Sequence, residues 1–487
     1  MSLADATDRV RDAGGVELAE RLAALDGLAS SPRPSAPARP AAPERSARLD
    51  YDVVLAGGGL SLLCAPLLAA RGLSVAVFDR GQIGAVHREW NASLDELSTL
   101  WETGLLPEAT VRSLIVNQYR RGECRWHGGG VYPVTGALDC AVHAGTLLSC
   151  VRERALEAGV RLFDYHAVTS ETGGPSAVRF SGTDARGARF EATAGIFLDA
   201  RGAASPWARG DLTCPTVGGV MTGLEEGQDD PSRVDPGIGE ILVTAEGVTE
   251  GRQHIWEVFP GRPGEVAVYL FAYEPAAARR PGDLTRLYAR FFERLPEFKR
   301  GGARLLRPTF GHISGWSRRG RGPRSDHPRI MLVGDAAARH SPLTFCGFGK
   351  MLRSFGPIAD AVARSRESDR PPGPLHPDEP VHALTGALAW LMANPSTEPG
   401  RSGELNRLLD VAFFELHALG PGPYRDLLRD RMSPREFLRF VRATARRQPF
   451  VYREILRTLG PLGASAWATR AAGRALFDSA ARPTTDR

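Results

Sequence analysis

Lysine is almost missing from this sequence, because Lys299 and Lys350 are the only lysines among its 61 basic residues. Arginine supplies the rest, which indicates a coding bias rather than a chemical role. The formal net charge of the 487 residues is only +5, so we expect no nucleic-acid partner. The charge is unevenly spread, with 14 Arg against 6 Asp or Glu in residues 424–487, and this predicts a basic surface at the C-terminal end.

Metal-binding and secretion patterns are also missing. None of the six cysteines forms a Cys-x-x-Cys pair, and their spacing does not fit metal ligands. We therefore predict no metal site, and free thiols in apolar stretches favour a reducing cytoplasm. The first residues contain no basic segment followed by an apolar run, so we expect no signal peptide. Residues 53–70 are uncharged, but the three consecutive glycines within them favour a strand, a turn and a helix over a membrane span.

Patterning divides the chain into five predicted parts. Residues 1–29 have the pattern of a short amphipathic helix, and residues 30–50 form a linker rich in proline and alanine. Residues 51–205 and 323–370 form one discontinuous domain of strands and helices. Residues 206–322 form a second domain, in which QHIWEVF and EVAVYLFAY predict an antiparallel hairpin. Residues 378–487 are helical in pattern.

The first cofactor motif is Gly57-Gly58-Gly59, which lies between an apolar strand and a helix. Asp79 ends the next strand, 22 residues after Gly57, and Arg80 follows it. Glycines let the main chain approach a pyrophosphate at a helix N-terminus, and the acid binds a ribose. Leu62 stands where a third glycine is usual, and Pro66 is expected to kink the helix. The motif predicts a dinucleotide site that includes Arg80.

A second motif far downstream indicates which dinucleotide binds. Gly334-Asp335 follows an apolar strand, and Pro342 and Gly347-Phe348-Gly349 precede a helix. In FAD enzymes such an Asp lies at the ribityl or pyrophosphate group. The helix N-terminus then faces the flavin ring, and the glycines let the main chain lie flat against the ring. The strand-end turn with Asp199 and Gly202 resembles the turn that closes the same domain. Together these motifs predict FAD.

The sequence also resembles a narrower family, the CruA/CruP-type lycopene cyclases, from about residue 51 to about residue 445. The matching segments are Arg88-Glu89-Trp90-Asn91-Ala92-Ser93, GDAAARHSPLTFCGFG, IWEVFP and LNRLLDVAFFELHALG, although Cys346 stands where the family tends to carry glycine. The resemblance implies an α/β fold with an FAD/NAD(P)-binding Rossmann-like domain of the glutathione-reductase and p-hydroxybenzoate-hydroxylase type. An antiparallel β substrate domain and a helical C-terminal region complete this fold, and Arg88 contributes to the cofactor site.

The reaction that the resemblance implies is acid-catalysed and has no net redox change. A proton adds to the terminal double bond of an acyclic carotenoid, a neighbouring double bond attacks the cation, and loss of a proton leaves an ionone-type ring. Reduced FAD stabilises the cation, and NAD(P)H is the expected reductant. The reaction needs an acid in an apolar pocket, where burial raises the pKa and keeps the proton available.

Three glutamates are candidates for this acid. Strand alternation places Glu257 between apolar neighbours on one face, as the reaction requires, although a solvated edge-strand residue would have the same pattern. Glu89 either takes part in the chemistry or pairs with Arg88. Glu274 is expected to be an exposed turn residue. Among the histidines, His340 in the flavin segment is the one to test.

Other functions on the same fold stay open. A halogenase would carry a Trp-x-Trp-x-Ile-Pro element, and none of the eight tryptophans lies in one. A monooxygenase, a prenyl-chain reductase and a flavoprotein that binds a polyene without turnover remain alternatives. For a hydrophobic polyene substrate we expect the Arg-rich apolar segment EFLRFVRATARRQPFVYREILRTL to contact a membrane surface. The alternative is that this segment is the solvated face of a packed helical domain.

Overall fold

The computed structural model describes residues 1–30, 49–85, 89–317, 322–340, 343–344, 347–368, 370–373, 375 and 381–480. Its helices are, in chain order, α1 (Leu3–Gly14), α2 (Val16–Ser30), α3 (Cys64–Ala69), α4 (Leu94–Leu97), α5 (Thr99–Glu102), α6 (Glu108–Ser113), α7 (Ala144–Glu157), α8 (Asp283–Phe298), α9 (Gly347–Ser368), α10 (His382–Ala393), α11 (Glu404–Ala418), α12 (Pro421–Leu428), α13 (Pro434–Arg447) and α14 (Phe450–Ala480).

The strands of the described residues are, in chain order, β1 (Tyr51–Ala56), β2 (Val75–Phe78), β3 (Trp90–Ala92), β4 (Ile115–Gln118), β5 (Arg121–Arg125), β6 (Val131–Val134), β7 (Cys140–Val142), β8 (Arg161–Phe163), β9 (Ala167–Gly173), β10 (Val178–Thr183), β11 (Arg189–Asp199), β12 (Leu212–Leu224), β13 (Ile238–Val243), β14 (His254–Pro260), β15 (Val266–Ala272), β16 (Glu274–Pro275), β17 (Gly301–Gly315) and β18 (Ile330–Leu332).

The first sheet has a parallel centre, with the strands in the order β8, β2, β1, β11 and β18. The beginning of β11 also pairs with β10 in an antiparallel meander that ends at β9. Val54 is fully buried, as in strands that are covered on both faces. Ala56 pairs with Asp199, and Asp199 pairs with Leu332. The loops after β1, β11 and β18 therefore leave the sheet at the same edge, as expected for a Rossmann-like domain.

The strand, turn and helix predicted for residues 51–70 are confirmed, with one difference. A 3-10 turn at Leu60–Leu63 precedes α3, and Pro66 is the third residue of α3. A proline in the first turn of a helix removes no intrahelical hydrogen bond. The expected kink is therefore replaced by a change from 3-10 to α geometry. Leu62, which stands in the third glycine position, is fully buried in the core of this domain.

The second sheet has the order β16, β12, β15, β14, β13, β5 and β6, and β17 also pairs with β12. The predicted hairpin is confirmed, because β14 and β15 are antiparallel with Glu257 opposite Tyr269. The sheet also takes two strands, β5 and β6, from the span predicted for the first domain. β5 pairs in parallel with β13, which follows it by more than one hundred residues, and such a distant pairing leaves no local pattern.

One face of the second sheet is covered by α8 and by the N-terminal helices. Trp256 packs there with Phe291 of α8, and Val10 of α1 and Leu22 of α2 belong to the same core. The single helix predicted for residues 1–29 is divided in two, because Gly15 has a φ of +91°, a conformation that favours glycine and ends α1.

The opposite face of the second sheet packs against α10 to α14, which confirms a helical C-terminal region. Polar contacts join this region to the first domain, among them two at the beginning of α9. Lys350 Nζ lies 2.6 Å from Asp430 Oδ2, and Arg353 donates to the carbonyl oxygen of Arg429 at 2.9 Å. Both contacts hold the beginning of α9 against the loop between α12 and α13. None of the helices in the described residues is both long and apolar enough to span a bilayer.

Candidate active site

The loops that carry the glycine motifs contact one another at the edge of the first sheet. Gly57 has a φ of +116°, and a Cβ on it would lie 2.4 Å from the carbonyl oxygen of Ala200. Gly334 has a φ of +61°, and a Cβ on it would lie 3.1 Å from Ser61 Oγ. A Cβ on Gly202 would be 3.7 Å from the Cβ of Asp335. Three segments that are far apart in sequence therefore meet where ligands bind in open α/β sheets.

Asp79 organises the first glycine loop. Its Oδ2 accepts the N–H of Gly58 at 2.6 Å, and its Oδ1 accepts the N–H of Gly81 at 2.7 Å. Each carboxylate oxygen has a second lone pair, which remains available to a ribose hydroxyl. Arg80, beside it, is exposed. The predicted pairing of glycine loop and acid is thus present in the structure.

A cavity of about 460 Å³ lies between this edge and the second sheet. The predicted residues that line it are Gly59, Glu89, Gly202, Glu257, Asp335, Gly347 and Phe348. The predicted residues that do not line it are Gly57, Gly58, Asp79, Arg80, Asp199, Gly334 and Gly349. Arg88 and Pro342 lie outside the described residues. The cavity thus brings the second motif, one residue of the first motif and two candidate acids together.

Asp199 and Gly349 do not line the cavity but support the residues that do. Asp199 is fully buried, where its carboxylate accepts hydrogen bonds from Arg201 and from Ser205 Oγ at 2.6 Å. It therefore fixes the turn that presents Gly202. A Cβ on Gly349 would lie 2.2 Å from the carboxyl carbon of Glu96. Glycine at this position makes room for Glu96 inside the protein.

An aromatic pair that the sequence motifs did not predict joins two of the matching segments. Trp90 follows Glu89, and its ring stacks on Phe348 with a centroid distance of 4.8 Å and an interplanar angle of 22°. Both rings line the cavity. The segment that contains Glu89 and the segment that begins α9 therefore form one wall of the cavity. The signal in the sequence that could have indicated this wall was Trp90, an aromatic residue directly after the candidate acid Glu89.

Glu257 is the isolated acid of the cavity. Its neighbours on the same face of the second sheet are apolar or aromatic, among them Phe259 and Tyr269. Trp256 and Val258 lie in the core on the opposite face, which confirms the predicted alternation. No described residue hydrogen-bonds to the Glu257 carboxyl group or forms an ion pair with it. Burial without a compensating partner raises the pKa of Glu257 to about 8, so its carboxyl group is largely protonated at neutral pH.

Glu89 is a paired carboxylate in the same cavity. Its Oε1 lies 3.2 Å from a guanidinium nitrogen of Arg307, and its Oε2 accepts the N–H of Ala144, at the start of α7, at 3.3 Å. Arg307 is a partner that the sequence did not predict, and the predicted partner Arg88 lies outside the described residues. The main-chain N–H of Glu89 donates to the hydroxyl of Tyr269 at 3.2 Å. A carboxylate with these donors is placed to stabilise positive charge rather than to donate a proton.

The two remaining candidates are Glu274, which does not line the cavity, and His340, which does. The expectation that Glu274 is exposed is wrong, because it is 2% exposed and lies 2.8 Å from Arg252. The short strand β16 pairs with β12 and draws this residue inside. His340 does line the cavity, with its Nδ1 4.0 Å from Asp335 Oδ1. Burial lowers the pKa of His340, which keeps its imidazole neutral at pH 7.

The raised pKa of Glu257 predicts a pH-dependent stability difference between the wild-type protein and Glu257→Gln. The carboxyl pKa rises from 4.5 in the unfolded chain to about 8 in the folded protein. The folded state therefore binds the proton more tightly, and the stabilisation is full below pH 4.5 and lost as the pH rises towards 8. We expect wild type to lose roughly 1.4 kcal/mol per pH unit relative to the variant in this interval.

Urea unfolding of both proteins at several pH values checks this expectation. The variant should gain in relative stability as the pH rises. A difference in unfolding free energy that does not change with pH would contradict the raised pKa.

Comparisons with known proteins agree with this architecture. No protein-family model and no curated protein sequence matches the chain. A geranylgeranyl bacteriochlorophyll reductase-like protein from Thermoplasma acidophilum matches 84% of this chain and 99% of its own, with a TM-score of 0.59 and 17% identity. A flavoprotein/dehydrogenase from Cytophaga hutchinsonii matches 87% of this chain and 99% of its own, with a TM-score of 0.53 and 14% identity. The halogenase PltM in complex with phloroglucinol and FAD matches 89% of this chain and 93% of its own, with a TM-score of 0.55 and 15% identity. The chain therefore shares its fold with a flavoprotein and with an FAD-bound halogenase.

Proposed function

We propose that this protein is an FAD-dependent enzyme that cyclises an end of an acyclic polyene of the lycopene type, with Glu257 as the proton donor. The observation that carries the proposal is an unpaired acid in an apolar part of the cavity that the glycine loops border. An isolated carboxyl group of raised pKa is costly to bury, and such groups concentrate where proton transfer is needed.

The residues around the cavity fit FAD. Gly57 leaves the loop after β1 in contact with Ala200, where a side chain would clash. Asp79, which holds the first glycine loop, would bind the adenosine ribose. Asp335 lines the cavity near the start of α9, whose N–H groups favour negative charge. Bound FAD, reduced by NAD(P)H, would supply negative charge beside the reacting polyene.

The chain's own groups account for the acid–base chemistry. The neutral carboxyl group of Glu257 gives its proton to the terminal double bond, and the neighbouring double bond closes the ring on the resulting cation. The proton that leaves the ring returns to the Glu257 carboxylate, which restores the enzyme without a net change in protons or electrons. Glu89 cannot serve as the donor while Arg307 and Ala144 hold its carboxylate.

Aromatic side chains would stabilise the cation between these two proton transfers. Phe259, Tyr269 and Phe271 line the cavity on the same sheet face as Glu257. The negative face of an aromatic ring attracts a cation. The same apolar surroundings exclude water, which would otherwise trap the cation as an alcohol.

Product analysis in a lycopene-accumulating host tests the proposal. We expect a monocyclic or bicyclic product with the mass of lycopene. A product with two added hydrogen atoms would indicate a reductase, and one added oxygen atom would indicate a monooxygenase. Recovery of unchanged lycopene from cells that contain the folded, FAD-bound protein would reject the assignment of this substrate.

A second candidate is reduction of an isoprenoid double bond. It is favoured by the structural likeness to the protein that is described as geranylgeranyl bacteriochlorophyll reductase-like. Such a reaction would use Glu257 in the same way, to protonate one carbon of the double bond, and bound reduced FAD would supply the hydride for the other carbon. Against it stands the sequence resemblance to cyclases at the segments that form the cavity wall. The product mass separates the two.

A further inference from the structure

A second cavity, of about 80 Å³, lies between the second sheet and the C-terminal helices, and we call it the chamber. Trp126 and Leu242 form its sheet side. Side chains of α10 to α14, among them Phe413, and the residues Leu343 and Thr344 before α9 form the rest. At about 30 Å³ for each water-sized group, it has room for roughly three such groups. Its two hydroxyl groups, on Thr344 and Thr444, donate to the main-chain carbonyls of Leu428 and Phe440.

Trp126, which lines the chamber, carries a buried indole N–H. Trp126 is 1% exposed, and no described residue offers an acceptor to its Nε1. Two other buried indoles are satisfied, because Trp207 donates to Glu171 at 2.9 Å and Trp467 donates to the carbonyl of Leu384 at 3.2 Å. A buried donor without an acceptor destabilises the protein. A ligand that brings an acceptor into the chamber would remove this destabilisation.

The chamber lies beside the acid on the same sheet face. Val243 of β13 pairs with Trp256 of β14, and both belong to the core on the opposite face. The adjacent residues on the two strands, Leu242 and Glu257, therefore point together to the cavity side. Neighbouring strands are about 4.8 Å apart, so a chamber wall and the proposed proton donor are one strand apart. The chamber therefore borders the strand next to the one that carries Glu257.

We propose that the chamber binds an apolar group that carries an oxygen acceptor, and that the indole N–H of Trp126 donates a hydrogen bond to this oxygen. We assign this group to the part of the polyene beyond the end that reacts at Glu257, an assignment that rests on the proposed function. The binding chemistry of the chamber does not rest on it. The enzyme then prefers polyenes with a hydroxyl or carbonyl group over pure hydrocarbons.

Nuclear magnetic resonance of the indole groups tests the chamber without any assay of activity. The FAD-loaded full-length protein, labelled with ¹⁵N in its indoles, is titrated with acetone and with isobutene, which have the same shape but differ in the acceptor. Trp126→Phe identifies the Trp126 signal, and Trp207 and Trp467 serve as internal references. We expect acetone to shift the Trp126 signal selectively and to bind about 2- to 10-fold more tightly than isobutene.

A second experiment tests the assignment of the bound group to the polyene. Cyclisation of an acyclic polyene that carries a hydroxyl group a few carbons from its reacting end, and of the parent hydrocarbon, is compared in wild type and Trp126→Phe. We expect the variant to lose about 2- to 10-fold in kcat/KM on the hydroxylated substrate and nothing on the hydrocarbon. Equal losses on both substrates would overturn the assignment of the group to the polyene.

The two arms separate failure of the chamber from failure of the proposed function. A Trp126 signal that acetone does not shift would overturn the chamber, whatever products form. A selective shift with acetone in a protein that forms no cyclic product would support the chamber as a ligand site and reject its link to the polyene.

Discussion

Glu257→Gln is expected to lower the rate of cyclisation by about 10²- to 10⁴-fold, the usual contribution of a general acid. Glutamine has nearly the same shape as the protonated carboxyl group and keeps a polar group at the site, but it cannot release a proton to a double bond. The variant should therefore fold, bind FAD and bind the polyene. In the wild type, activity should fall as the pH rises above about 8, where Glu257 ionises.

A matched control is available on the same sheet. Glu123 lies on β5, and its carboxylate pairs with Arg121 at 2.7 Å away from the proposed chemistry. Glu123→Gln should keep wild-type activity and FAD content. Full cyclisation by Glu257→Gln, or a pH profile that this substitution leaves unchanged, would remove Glu257 as the proton donor.

Gly57→Ala is expected to weaken FAD binding by about 100-fold or more, which corresponds to about 2.7 kcal/mol. The new Cβ would meet the Ala200 carbonyl oxygen at 2.4 Å, at a φ of +116° that alanine rarely adopts. The loop after β1 must then move away from the loop after β11. Because both loops border the cavity, this displacement would move main-chain groups of the loop out of contact with FAD. The measurement is a fluorescence titration of the apoprotein with FAD.

Gly302→Ala provides the comparison. Gly302 lies on β17, and no atom lies within 4 Å of a Cβ placed on it. This variant should bind FAD like the wild type and unfold at nearly the same temperature. Unimpaired FAD binding by Gly57→Ala would show that the first glycine loop does not hold the cofactor.

The cofactor motifs could be predicted from sequence because they are local. Gly57 and Gly334 each follow a buried strand, and the parallel sheet brings the ends of both strands to one edge. The face of Glu257 follows from the two-residue repeat of a strand, which acts over only a few residues. These features depend on main-chain geometry within one supersecondary unit. The prediction of an α/β fold is confirmed for the same reason.

The partners of the acids depend on distant pairings instead. Arg307 reaches Glu89 because β17 lies beside β12 in the second sheet, and the two residues are more than two hundred positions apart. Glu274 is buried because β16 returns to β12 and places it against Arg252. No periodicity or local motif encodes such contacts. The sequence therefore indicated which side chains were candidates for the chemistry, but not which of them have a charged partner.

We infer that the loops after β1, β11 and β18 surround one flavin beneath the sheet that presents Glu257. The decisive measurement is a titration of the purified protein with FAD, followed through the visible absorption and fluorescence of the flavin. We expect a yellow protein that saturates with one FAD per chain and that binds FAD about 100-fold more weakly or worse in Gly57→Ala. A folded, colourless protein that takes up no added FAD would contradict it.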